Sequence, residues 1–164
     1  MMKVWGTASR WGEDQWLLQN GDADDPYRQI ILYPGDAPIV DGETGFPLGH
    51  DVMEGEMVTA WIGDAVMMSL PPRASAEVMV VRPPKDELLQ YGKIVKRVEC
   101  GEQVKLTLDN GEMLMVSPSA QIMPWRTRNI VHQQDMVCGR TILAWTGRQG
   151  VNRVLLFPNH ENIF

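Results

Sequence analysis

The chain has 164 residues, 44% of them hydrophobic and 22% charged, with a formal net charge of -6 and a pI near 5.0. That length and apolar content suit one ordinary domain or two small ones with packed cores, and exclude a disordered chain. The acidic balance disfavours non-specific binding to nucleic acid or anionic lipid, and no apolar run is long enough to span a bilayer.

Met1–Gly6 leads to Arg10 and Glu13 before any apolar segment of signal-peptide length forms, so a cytoplasmic location is expected. Lys3–Ser9 reads as a strand, Gln15–Gln19 as a second and Arg28–Tyr33 as a third. Asn20-Gly21, between apolar runs, predicts a hairpin because both residues tolerate positive φ. Pro34-Gly35-Asp36 and Asp41–Gly45 are turn signals on either side of a short apolar Ala37–Val40. A strand follows at Met57–Gly63, and another at Glu77–Val81, closed by Pro83-Pro84. One turn of helix is expected at His50–Glu54 and another at Asp86–Gln90.

The second half repeats this order. Tyr91-Gly92 and the strand to Val98 answer Trp5-Gly6. Gln103–Leu108 alternates polar and apolar, as a half-buried strand does. Asp109-Asn110-Gly111 answers Asn20-Gly21, and Met113–Val116 follows it. Ala120-Gln121-Ile122 answers Ala37-Pro38-Ile39. Val154–Pro158 matches Val78–Pro83, and Asn159–Phe164 is a tail.

The firmest internal match joins Asp51–Gly63 to Asp135–Gly147. Each has an Asp, a Gly four residues on, then Ala-Trp-x-Gly at the same spacing. Self-similarity at fixed spacing marks a duplicated structural unit. Many short strands punctuated by Gly, Pro and Asn predict an all-β fold. The expectation is a tandem duplication of two small OB-like antiparallel barrels, residues 1–83 and 84–158. Charge divides with them: residues 1–83 hold 5 Lys and Arg against 13 Asp and Glu, and residues 84–164 hold 10 against 8.

Few chemistries find support. Neither Cys100 nor Cys138 has a CxxC partner; both read as reduced, partly buried thiols, with a single disulfide as the alternative. Asn20–Asp25 has oxygens at alternate positions but lacks the Gly and Glu of a calcium loop, so it reads as an acidic hairpin loop. His50, His132 and His160 lack metal-ligand spacing. Ser69, Ser75, Ser117 and Ser119 lie in turns without a neighbouring base, and no nucleophile or phosphate-loop motif occurs. No cofactor and no metal is expected.

Trp61 and Trp145, at matched positions, could stack on a ligand or fill the barrels. The halves differ most at Asp64–Ala76, where the second repeat has only Arg148–Arg153. Met67, Met68, Leu70, Pro71 and Arg73 in that insertion suit an adaptable protein-contact surface. With Trp61 and Trp145 they form the candidate partner-binding set.

Ala37–Leu48, Asp51 with Glu54–Val58, Ala65–Pro72 and Ala76–Val78 together resemble a small repeated β-barrel module of Firmicute proteins, often found beside a copper amine oxidase-like N-terminal domain. The resemblance covers most of the first repeat and, more loosely, the second. It implies the barrel fold and no assigned activity. Relatives of that module are often exported. The expected function is a non-catalytic binding or assembly module acting through protein contacts, by the Met67–Arg73 loop and a groove between barrels. Self-association is a further option. Single-stranded nucleic acid binding and a small hydrolase with a site between the barrels are the alternatives.

Overall fold

Period-two burial organises the chain into strands. In the computed structural model, which describes residues 1–127 and 129–158, eleven strands and one short 3-10 turn are present among the described residues. The expected tail, Asn159–Phe164, and His160 lie outside the described residues. The chain divides into two compact units, Met1–Pro83 and Pro84–Phe164.

The first unit contains β1 (Met2–Gly12), β2 (Gln15–Gln19), β3 (Gln29–Tyr33), β4 (Ile39–Asp41), β5 (Met57–Ile62) and β6 (Arg73–Val81). β1, β2 and β3 form an antiparallel meander, β1 also pairs with β5, and β5 with β6. A parallel pairing of β3 with β6 closes the five-strand ring, and β4 lies parallel to the end of β6. Val4, Ala8, Leu18, Ile30, Leu32, Val58, Ala60, Ile62 and Met79 fill the interior.

The second unit contains β7 (Leu88–Cys100), β8 (Gln103–Leu108), β9 (Met113–Pro124), β10 (Thr141–Gly147) and β11 (Gly150–Leu156), with the 3-10 turn at Gln133–Asp135. Its closed ring runs β10-β11-β9-β8-β7, again with one parallel pair, β9 with β11. Ile94, Leu106, Leu114, Met136, Ile142, Ala144 and Val154 lie in its core. The molecule is thus all-β, a tandem of two small barrels, each antiparallel except where it closes and, in the first, where β4 joins β6.

The strand registers place the two halves in correspondence. Asn20 Nδ2 donates to Trp5 O at 2.9 Å, and Asn110 Nδ2 to Tyr91 O at 3.4 Å. Gly55 and Gly139, both at positive φ, donate to Ala8 O and Ile94 O. Behind them Val52 and Met136 enter the two cores. Ile39 pairs with Met79 and Ile122 with Val154, so β9 covers in one strand what β3 and β4 cover in two. Pro34, which has no N–H, and Gly35 at φ 53 break the first copy there.

Several expectations are corrected. Asp86–Gln90 is not helical; β7 starts at Leu88. His50–Glu54 is irregular, and the only helical turn among the described residues falls at Gln133–Asp135. β6 begins at Arg73, so the insertion ends sooner than Ala76. Trp61 pairs with Val78 and Trp145 with Arg153; the residue matching Val154 is therefore Met79 rather than Val78.

Candidate functional site

The loop from Gly63 to Pro72 joins β5 to β6. Two short backbone bonds close its neck: Met67 N–H donates to Arg73 O at 2.8 Å and Arg73 N–H to Met67 O at 2.9 Å. Ser69 Oγ donates to Pro71 O at 2.7 Å, and the Leu70–Pro71 peptide is cis. Ile31 N–H donates to Pro72 O, and Arg73 Nη1 to Tyr33 Oη at 3.0 Å, so the neck is tied to β3. Val66 turns inward and packs against the barrel core.

The tip is apolar and open to solvent. Met67 is 64% exposed, Met68 76% and Leu70 101%. Pro71 and Arg73 are half-buried. Five candidate partner-binding residues therefore sit on one pinned loop. At its start, the Asp64 carboxylate meets the Met1 ammonium at 2.6 Å. The hydrogen bond and then the charge of that amine hold the Asp64 carboxyl below its ordinary value.

Trp61 and Trp145 do not join them. Val58, Ala60 and Ile62 point into the first barrel, and strand alternation sends Trp61 to the other side of β5. Trp61 is 2% exposed, and Trp145 is fully buried. Each ring lies under a cation from a neighbouring strand: Lys3 Nζ at 5.5 Å over Trp61, the Arg153 guanidinium at 5.4 Å over Trp145. Rings so enclosed offer no face to a partner, and both leave the candidate set.

The remaining candidate chemistries take ordinary structural roles. Asn20, Asp22 and Asp25 accept N–H bonds from Asp22, Asp24 and Tyr27, the side-chain-to-backbone pattern of a turn. Ser117 and Ser119 bond to each other at 2.8 Å. Cys100 and Cys138 are both free and exposed, in place of the partly buried thiols expected. Among the described residues no group of three His, Cys, Asp or Glu side chains is placed to hold a metal ion, and no helix is long and apolar enough to cross a membrane.

Sequence reasoning missed two charge arrangements. In the first barrel Arg82, at φ 59, binds Asp41 at 2.7 Å and approaches Glu56 at 3.8 Å. The Asp41 hydrogen bond, then its charge, holds the guanidinium above its ordinary value. In the second barrel Arg140 occupies the place of Glu56, one residue after the matching Gly. Its Nε and Nη2 donate to Phe157 O at 3.2 and 3.1 Å. The Gly-Glu and Gly-Arg dipeptides were visible in the repeat, but their mates lie on distant strands.

Compared with protein families and with curated proteins, the chain matches none.

Proposed function

We propose that the protein is a non-catalytic binding or assembly module that docks a partner protein through the Met67–Arg73 loop. One observation carries the reading: Met67, Met68 and Leu70 stand in solvent on a loop whose neck is fixed by four hydrogen bonds to β6 and β3. Fully burying such side chains contributes about 1.5–3 kcal/mol each. Three together give roughly 5–9 kcal/mol, against association costs of about 4–15 kcal/mol. The loop is therefore an anchor within a larger contact. A pinned loop loses little conformational freedom on binding, which favours that role.

Two finer elements belong to the same proposal. Taking the five ring strands of each barrel in chain order, neighbours run first, second, third, fifth, fourth, which supports the OB-like reading. Kinship with the Firmicute barrel module rests on Ala37–Leu48 and Ala65–Pro72.

The test is a photo-crosslinking residue at position 70 in the full chain, with Met68→Ser as the paired variant. One discrete adduct that disappears with Met68→Ser is expected. Adducts that are diffuse, or indifferent to Met68→Ser, refute the anchor role.

Single-stranded nucleic acid binding ranks second. Its support is the outward face of β7, β8 and β9, where Lys96, Val98, Lys105, Met113 and Met115 lie in register. That face carries no aromatic platform among these residues, and base stacking is the larger part of such binding. Salt-sensitive binding of a labelled oligonucleotide would raise this reading.

A further inference from the structure

The second barrel has a cleft of about 540 Å³ at the end of β9 and β11. Trp125, Ile130 and Val131 stand on its apolar side, and Arg126 and Arg140 are on its lining. The Arg126 guanidinium sits 5.5 Å over the Trp125 ring, whose other neighbour is Phe157 at 5.6 Å. Among the described residues neither arginine meets a carboxylate within ion-pair distance. The lining carboxylate, Asp135, already accepts the His132 N–H at 2.8 Å.

The duplicate barrel sharpens the point. There the cation at this seam, Arg82, is matched by Asp41 and Glu56. Here the acidic partners are gone, Arg140 stands where Glu56 did, and Arg126 adds a second guanidinium. Ile130 is 81% exposed beside them. Arg126 holds φ 51, a conformation that costs energy outside glycine and aims its side chain back over Trp125. An apolar wall beside two guanidiniums that meet no carboxylate among the described residues, Arg126 and an Arg140 held in place through Nε and Nη2 by Phe157 O, selects an anion that carries a hydrocarbon body.

From this geometry we infer that the cleft binds small amphipathic carboxylates, with Arg126 on the carboxylate, the charge of Arg140 beside it, and Trp125, Ile130 and Val131 on the apolar body. The site is separate from the Met67–Arg73 loop and stands whether or not that loop docks a partner.

Decanoate is the probe, titrated into the full chain and followed by the Trp125 indole N–H and Ile130 methyl resonances. Saturable shifts at both, with a Kd of about 1 mM or tighter, are expected for a ligand of that size. Arg126→Asn removes the charge while tolerating the positive φ, and weakens binding about tenfold. Decanol and decylamine bind at least several-fold more weakly than decanoate. Failure of either resonance to shift by about 5 mM decanoate, five times that Kd, overturns the inference. Equal binding of decylamine, or unchanged binding in Arg126→Asn, overturns it equally. Contacts from residues 159–164 to Ile130 in the ligand-free protein would give the cleft to the chain itself.

Discussion

Gly6 and Gly92 hold matching places in β1 and β7, and replacing each with alanine separates steric from conformational cost. Neither has the positive φ that disfavours a side chain. The substitution alone would thus stabilise the fold by about 0.4–1 kcal/mol through the unfolded chain. At Gly6 the added Cβ lies 2.6 Å from the backbone N, C and O of Gln19. That is 0.8 Å short of the 3.4 Å at which ordinary contact begins. Backbone cannot swing aside, so β1 and β2 must part by a comparable distance. Ladder bonds near 2.9 Å would then pass the geometric limit, at about 1 kcal/mol each. Overpacking of this kind costs about 1–3 kcal/mol before those losses. Gly6→Ala is expected to destabilise the first barrel by about 3 kcal/mol, or some 12–24 °C in its Tm. At Gly92 the nearest atom is Asp109 Oδ1 at 2.7 Å, a side-chain oxygen that accepts Lys93 N–H at 3.1 Å and can rotate away. Gly92→Ala therefore costs about 1 kcal/mol. Urea unfolding with residue-resolved hydrogen exchange assigns each loss to its barrel. A Gly6→Ala protein within 0.5 kcal/mol of the parent, or more stable than Gly92→Ala, would refute the reasoning.

Trp145→Ala empties a fully buried indole site and removes the Arg153 stack, so the second barrel should lose about 3–5 kcal/mol in chemical unfolding; a loss under 1 kcal/mol would contradict its burial. The Asp64 carboxyl should titrate below 3.8 when followed by carboxyl carbon shifts. Its folded value is lowered, so its contribution is present above the unfolded value and fades as pH falls through the folded one. Because Asp64 is solvent-exposed, high salt should return its midpoint toward 3.8, and a midpoint at or above 3.8 in low salt would contradict the ion pair. Leu70→Ser removes no packing, so it should leave stability within about 0.5 kcal/mol; a larger loss in thermal unfolding would show that the loop tip is covered.

Much of the strand plan was legible in the chain because its causes are local. Alternation at Gln103–Leu108 and the turn at Asp109-Asn110-Gly111, with Gly111 at φ 88, act over a few residues; Asn20-Gly21 instead opens a longer connection from Gln19 to Gln29, and Gly21 does not take up positive φ. The Gly55 and Gly139 pair, recurring with Ala-Trp-x-Gly, exposed the duplication before any contact was known. The Met67–Arg73 loop was legible as the unmatched, apolar insertion. The Trp125–Arg140 cleft was not, since its segment shows neither period and its meaning depends on which carboxylates are elsewhere.

By itself the sequence determined most of the strands, the twofold repetition and the apolar insertion of the first copy, all products of short-range sterics and alternation. Tertiary structure alone decided that β3 meets β6 and β9 meets β11 in parallel, that Trp61 and Trp145 are enclosed under cations, and that Arg140 stands without the acids that neutralise Arg82. Those outcomes join residues tens of positions apart through barrel closure, whose strand stagger no local pattern encodes.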